Sequence, residues 1–219
     1  MSIGKWWRWV SISLPLFGFA AGAGGSGPAV GAQLPNLVKR AQLRNAPVHE
    51  PVPTEGWVVY AFAPSSPASE KNNRNVEALA QALPRGWTLL TLAMEPTGAG
   101  AFVERLHVTV PVLTTVPAST LAAYPIGKAP RTFILDKDWK LLEVLDGPFE
   151  GKVAAKLASR FKVKLPPAHQ LSGPAAEGRK WPSGLCLDRQ QRPFSRGAVA
   201  EGLGLKFECV GGGLWRATS

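Results

Sequence analysis

Cysteine is scarce in this chain: its 219 residues include only two, Cys186 and Cys209. Two thiols are too few for a four-cysteine zinc site or for a miniprotein held together by several disulfides. Both cysteines lie near the C-terminus and well apart in the sequence, so the chain also lacks a CxxC motif. That absence excludes the usual dithiol arrangement of thiol–disulfide exchange.

Clustered positive charge is also missing, although the chain has 25 Lys and Arg against 15 Asp and Glu. No run of five or more basic residues is interleaved with aromatics, so a nucleic-acid partner is not expected. A hydrophobic content of 45% excludes a disordered chain, which could not bury enough apolar surface. At about 150 residues per domain, the length allows one full domain and a smaller appendage.

The first 32 residues predict a targeting segment. Lys5 and Arg8 form a basic start, and residues 9–21 are largely apolar but shorter than the roughly 20 residues that span a bilayer. Val30 and Ala32 then offer small side chains at the two positions that a signal peptidase recognises. Two alternatives stay open, a cleaved signal peptide over residues 1–32 and an uncleaved N-terminal anchor. Either one predicts a periplasmic or secreted protein of a bacterial envelope.

Hydrophobic periodicity predicts an alternating α/β order after a polar, proline-rich connector at 33–55, which has room for a short helix at 37–43. Residues 57–63 and 87–93 are β-rich apolar runs, and helical spacing occupies 69–83 between them. A strand, a helix and a strand within about 37 residues form a βαβ unit, so the two strands should be parallel.

The following segment predicts two more strands and more helices. Helical patterns are expected at 98–106, 119–124 and 150–161, an extended stretch at 108–113, and strands at 131–136 and 140–145. The three-residue link between the last two strands requires an antiparallel hairpin.

Three local patterns accompany this order of elements. The first strand runs into Phe62-Ala-Pro-Ser-Ser-Pro-Ala-Ser69, a later stretch is Lys128-Ala-Pro-Arg-Thr-Phe-Ile-Leu-Asp136, and the hairpin turn is Asp136-Lys-Asp-Trp-Lys-Leu141. Together they resemble the thioredoxin superfamily, especially its exported TlpA-like and redoxin-type members. The resemblance covers roughly residues 36–164. It implies an α/β fold with a thioredoxin-like central mixed sheet flanked by helices, here assigned to residues 56–164.

The resemblance also locates the family's active site, and there this sequence departs from the family. The family pattern Phe-x-Pro-Ser-Cys-Pro-x-Cys maps its two cysteines to Ser66 and Ser69, with Pro67 and Ala68 between them. A serine hydroxyl neither ionises like a thiol nor forms a disulfide, so we predict degenerate active-site positions and no catalytic residue. In the hairpin turn, Trp139 stands where the family usually has glycine.

Serine hydrolysis at Ser66 is not expected, because it would need a positioned base. The three histidines, His49, His107 and His169, belong to no motif that places one beside Ser66. We expect instead that the Ser66 hydroxyl caps the following helix.

A peptide groove is the part of the family site that this sequence retains. The resemblance implies a cis peptide bond before Pro130, and Ala129 would then offer its backbone to an extended peptide by strand addition. The alternative is that Pro130 serves only the turn that the fold requires.

The C-terminal part is predicted to be a linker at 165–183 followed by a small β-hairpin module at 184–219. In an exported protein, a structural Cys186–Cys209 disulfide is the default, and closing this 24-residue loop would contribute about 3–3.5 kcal/mol. A redox role for the pair is the open alternative. The tryptophans Trp139, Trp181 and Trp215 either pack between modules or anchor an interface.

These patterns predict an exported thioredoxin-like protein without redox-active cysteines, which binds a protein or an extended peptide in the cell envelope. Conjugation and secretion machines contain thioredoxin-fold proteins of this kind, so an assembly role is implied by analogy. No cofactor and no metal are expected, and the membrane would be contacted only through an uncleaved leader. The alternatives are a thiol–disulfide oxidoreductase with atypical cysteines and a protein that binds peptidoglycan or another polyanion.

Overall fold

The computed structural model describes residues 28–124, 126, 129–165 and 184–218. Most of the predicted leader and almost all of the predicted linker at 165–183 lie outside the described residues. The elements in chain order are β1 (Gln42–Arg44), β2 (Gly56–Phe62), α1 (Pro67–Ala82), β3 (Trp87–Ala93), α2 (Pro96–Leu106), β4 (Val112–Thr115), α3 (Ala118–Leu121), β5 (Arg131–Asp136), β6 (Leu141–Asp146), α4 (Gly151–Phe161), β7 (Cys186–Leu187), β8 (Pro193–Phe194), β9 (Val199–Gly202), β10 (Leu205–Gly211) and β11 (Leu214–Thr218).

Nine strands form one mixed sheet in the order β6-β5-β2-β3-β4-β1-β11-β10-β9. Strands β2 and β3 are parallel over their whole length, β3 and β4 are parallel over two residue pairs, and β5 and β6 form an antiparallel hairpin beside β2. The predicted βαβ unit and hairpin are therefore confirmed. With helices packed against this sheet, the predicted thioredoxin-like fold is confirmed as well.

Strand β2 is buried on both faces, which explains its unbroken run of apolar residues. Val58, Tyr60 and Phe62 point to the face that α1, α2 and α4 cover. The intervening residues, Trp57 and Val59 among them, belong to a second cluster that the N-terminal segment, α3 and the C-terminal strands cover. The strand thus contributes side chains to two separate hydrophobic cores, one on each face of the sheet.

The segment predicted as a connector contributes a strand to the sheet, and the short helix predicted at 37–43 is wrong. Residues 37–40 form a turn, and β1 pairs antiparallel with β4 on one side and β11 on the other. Leu37, Val38 and Leu43 are fully buried in the second core. These tertiary contacts override the local pattern, because the partner β11 comes from the opposite end of the chain.

The C-terminal strands continue the main sheet through β1. The predicted Cys186–Cys209 disulfide is present, with Cα atoms 5.8 Å apart, and it joins the short strand β7 to β10. Trp215 is fully buried, and its indole Nε1 donates a hydrogen bond of 2.8 Å to the carbonyl of Leu187. Packing is therefore the observed role of Trp139 and Trp215, whereas Trp181 lies outside the described residues.

No helix within the described ranges has the length and apolar composition needed to cross a membrane.

Trp139 occupies the β5–β6 turn with φ +68°, a left-handed conformation that normally favours glycine. Its ring is 4% exposed and packs against Trp57 with the ring centroids 4.8 Å apart. The carboxylate of Asp136 fixes the turn by accepting hydrogen bonds of 2.9 Å from the N–H groups of Asp138 and Lys140. Aromatic burial thus offsets a backbone conformation that is unfavourable for a side chain with a Cβ.

We expect Trp139→Gly to destabilise the protein less than Trp139→Ala. Both substitutions lose a buried ring, which costs about 3–5 kcal/mol, but only glycine relieves the left-handed strain of about 1–2 kcal/mol. Equilibrium denaturation should rank the free energy of unfolding as wild type, then Trp139→Gly, then Trp139→Ala. An alanine variant as stable as the glycine variant would show that the turn carries no backbone strain.

Candidate functional site

The candidate site begins where β2 ends and α1 starts. Ser66 is the half-buried residue that precedes the helix, Pro67 and Ala68 are exposed in its first turn, and Ser69 is only 1% exposed. The first serine therefore faces the surface and the second points inward. This is the arrangement that a nucleophilic residue and a shielded second residue would require.

The Ser66 hydroxyl does not cap α1, so that prediction is wrong. The Ser66 carbonyl accepts hydrogen bonds from the N–H groups of Ser69 and Glu70, at 2.9 and 3.3 Å. Pro67 has no N–H to satisfy. Because a backbone carbonyl accepts the hydrogen bonds of these N–H groups, they do not require the serine hydroxyl as an acceptor.

Glu95 fixes the turn that leads into the helix. Its carboxylate accepts hydrogen bonds from the backbone N–H of Ser65 at 3.0 Å and from the Ser65 hydroxyl at 2.9 Å. This contact is not predictable from the sequence, because Glu95 lies just before α2 and only the fold brings it beside residue 65. The one sequence signal near this glutamate is the proline that follows it, Pro96. A proline there indicates the start of a helix and not a functional site.

The loop that contains Pro130 lies at the same end of the sheet as Ser66. The pairing of Ala61 with Arg131 sets the register of the antiparallel strands β2 and β5. This register places Pro130 opposite Phe62. The Ala129–Pro130 peptide bond is cis, as the resemblance implies. The Pro130 carbonyl accepts a hydrogen bond of 3.0 Å from the N–H of Gly147.

Ala129 is half-buried, and its backbone makes no hydrogen bond with any other described residue. An N–H and a C=O that the other described residues leave open are what strand addition by a peptide would use. A peptide groove at Ala129 and Pro130 stays a prediction.

Two buried hydroxyl groups lie beneath the site. Ser69 and Tyr60 line a small buried cavity together with Asn73, Thr91 and other residues. Within the described part of the chain, neither the Ser69 Oγ nor the Tyr60 hydroxyl has a hydrogen-bond partner. The same cavity is lined by apolar side chains, among them Phe62, Val76 and Phe102.

Burial raises the pKa of Tyr60, and the nearby negative charge of Glu150 raises it further. Burial also raises the pKa of Tyr124, whose hydroxyl donates a hydrogen bond of 2.6 Å to the carbonyl of Pro35.

The described histidines lie away from Ser66. His107 ends α2, whose 11 residues place it about 16 Å from the end that Glu95 begins. The backbone N–H of His49 donates to Glu201 on β9, six strands along the sheet from β2. His169 lies outside the described residues. Neither described histidine therefore lies beside Ser66, where serine hydrolysis would need it.

The disulfide also lies away from the serines. Cys209 lies on β10, five strands from β2, which is roughly 24 Å measured along the sheet. Both cysteines are fully buried and bonded to each other. No group of three or more His, Cys, Asp or Glu side chains that could hold a metal ion occurs in the described part of the chain.

No protein-family model matches this chain, and no match is found among curated proteins. Similar solved structures include a thioredoxin-like protein in its oxidised form, with 13% identity, a TM-score of 0.47, and 59% of this chain and 93% of that chain covered. A DsbF homologue from Corynebacterium diphtheriae has 18% identity and a TM-score of 0.41, covering 49% of this chain and 72% of its own.

The exposed lipoprotein thioredoxin of Streptococcus pneumoniae has 16% identity and a TM-score of 0.42, covering 49% of this chain and 86% of its own. The fold assignment rests on the strand order, the βαβ unit and the hairpin. These similarities assign no activity to this chain.

We expect the folded protein to show no tyrosinate near pH 10, the ordinary pKa of tyrosine. Tyr60 and Tyr124 are the only two tyrosines of the sequence, and both have a raised pKa in the folded state. The folded chain then holds these protons more tightly than the unfolded chain. The free energy of unfolding should therefore fall as the pH rises above about 10.

Ultraviolet absorbance and circular dichroism recorded on the same samples test this expectation. Tyrosinate absorbance should rise only where secondary structure is lost, and Tyr60→Phe should halve its amplitude. A tyrosinate signal near pH 10 in a protein with native circular dichroism would contradict the burial of both hydroxyls.

Proposed function

We propose that this chain is an exported thioredoxin-like protein that binds an extended segment of a protein partner without catalysing thiol–disulfide exchange. The observation that carries the proposal is the composition of the site: Ser66 and Ser69 stand at the start of α1, beside the loop that contains Pro130. The only two cysteines of the sequence are bonded to each other elsewhere.

The chemistry of exchange supports the first half of the proposal. A thiolate must attack a disulfide sulfur, and a second thiol must resolve the mixed disulfide. The hydroxyls of Ser66 and Ser69 do neither. The buried sulfurs of Cys186 and Cys209 offer no accessible target or nucleophile. We therefore regard the site as a degenerate thioredoxin-type active site.

The electrostatics of the site point the same way. Glu95 places a carboxylate on the turn next to Ser66. A nearby negative charge disfavours a thiolate, because it raises the pKa of a neighbouring thiol. An exchange enzyme gains from the opposite arrangement, in which a thiol's pKa is lowered at a helix start.

The surface that remains suits recognition of a main chain. Pro67 and Ala68 are exposed and small, and the backbone of Ala129 makes no hydrogen bond with the other described residues. Strand addition takes its affinity from main-chain hydrogen bonds, which need no reactive side chain. An extended peptide laid along Ala129 would contact Ala68 and the Ser66 turn.

The proposed compartment is the periplasm or the outside of a bacterial cell. A structural disulfide forms and persists in such oxidising surroundings, and the basic, apolar start of the chain fits a leader. In that compartment we propose a role as a binding or assembly component, such as a part of a conjugation or secretion machine.

We expect the wild-type protein to show no turnover in an insulin-reduction assay with a dithiol reductant, and the double variant Ser66→Cys/Ser69→Cys to gain activity. The exposed and buried positions of the two serines match the demands of an attacking and a resolving thiol. The single variant Ser66→Cys is the matched control, since it lacks the resolving thiol and should not turn over.

Adding Glu95→Gln to the double variant should lower the pKa of the thiol at position 66 by up to about one unit and raise the rate at neutral pH. Thiol alkylation rates across a pH series measure that pKa. Wild-type turnover that disappears in Cys186→Ser would favour the alternative, an oxidoreductase with atypical cysteines.

We expect Ala68→Arg to abolish partner binding and Gln81→Arg to leave it intact. Both residues are exposed on α1 and both variants add one positive charge, but Gln81 lies about 20 Å further along the helix. Crosslinking in envelope extracts followed by mass spectrometry compares the partners of the three proteins. Equal loss in both variants would indicate a charge effect, and equal recovery in both would exclude this end of α1 as the binding surface.

A further inference from the structure

The residues just after the predicted leader form a strap along the edge strand β6. The N–H of Gly31 donates to the carbonyl of Leu141 at 2.7 Å, and the N–H of Leu141 donates to the carbonyl of Ala32 at 2.8 Å. Gln33 then forms an antiparallel bridge with Lys140, and the N–H of Leu34 donates to the carbonyl of Trp139 at 2.9 Å. Residues 31–34 are called the N-terminal strap below.

The strap satisfies backbone groups that the sheet leaves open. Strand β6 is at the edge of the sheet, so β5 covers only one of its sides. Leu141 is fully buried, and both of its backbone polar groups are bonded to the strap. Leu34 is also buried and Ala32 packs against the second core. Without Gly31 and Ala32, a buried N–H and a buried C=O would lose their partners, which is unfavourable.

The sequence offers two places for a signal peptidase, which recognises small residues in an A-x-A-like pattern. One is Val30-Gly31-Ala32, which gives the leader of 32 residues predicted from sequence. The other is Ala21-Gly22-Ala23, which has alanine at both recognised positions.

The two places have opposite consequences for the strap. Cleavage after Ala32 would remove Gly31 and Ala32 and leave Leu141 without both partners. Cleavage after Ala23 keeps the whole strap. We propose that signal peptidase cleaves this chain after Ala23, so that the exported protein begins at Gly24 and retains the N-terminal strap as the cover of β6. This inference rests on the proposed export, and it moves the leader boundary from residue 32 to residue 23.

The full-length chain, expressed in a bacterium and purified from the periplasm, tests the site by intact mass and N-terminal sequencing. We expect Gly24 as the first residue. A periplasmic protein that begins at Gln33 would overturn this inference while leaving the proposed export intact. An uncleaved chain would also overturn it, and if that chain stayed in the cytoplasm the proposed export would fail as well.

Two substitutions separate the sites further. Ala21→Arg and Val30→Arg each place an arginine three residues from a scissile bond, and Val30 is 70% exposed, so its change leaves the fold undisturbed. We expect precursor to accumulate more than about tenfold with Ala21→Arg and processing to be unchanged with Val30→Arg. The reverse result would assign cleavage to Ala32.

A comparison of stabilities tests whether the strap stabilises the protein, which is the structural reason for placing cleavage after Ala23. We expect the chain that begins at Gln33 to have a folding equilibrium constant roughly 5- to 30-fold below that of the chain that begins at Gly24. Denaturant titration of the two purified proteins measures the difference. Equal folding equilibrium constants would show that the strap does not stabilise the protein, which would contradict the structural reason for cleavage after Ala23.

Discussion

The burial of β2 on both faces is the constraint from which the rest of the structure follows. Because the strand pairs with β3 on one side and β5 on the other, its alternate side chains must fill two separate cores. One core is covered by helices, and the other needs the N-terminal segment and the C-terminal strands. The turn at Ser66 follows the end of β2, and the loop that contains Pro130 precedes β5 at the same end of the sheet. The candidate site is therefore a consequence of the same strand pairing.

The two serines at the start of α1 differ in exposure. Ser66 faces the surface while Ser69 is buried, and below them the hydroxyls of Ser69 and Tyr60 remain without partners among the described residues. Glu95 holds the turn that leads into α1 through its hydrogen bonds with Ser65.

Much of the fold could be predicted from sequence because its elements have strong local signals. The apolar runs at β2 and β3 and the short hairpin link at 137–139 depend on neighbouring residues alone. Strand β1 could not be predicted, because it is defined by pairing with β4 and β11, which lie far away in the chain. The predicted serine cap is absent because a backbone carbonyl accepts the hydrogen bonds from N–H groups at the helix start. Glu95 was missed because its partner Ser65 is close to it only in space.

The position of β1 between β4 and β11 also constrains the order in which the protein can assemble. Strand β11 follows β1 only after all the other strands and helices, so during synthesis β1 at first has no neighbour on that side. Until β11 emerges, the growing sheet exposes a row of unpaired backbone groups, the kind of edge that recruits other chains into aggregates. Pairings between distant parts of a sequence also slow folding. The sheet depends on β11 for completion, so a product truncated before β11 would leave that edge of β1 open rather than lose only an appendage.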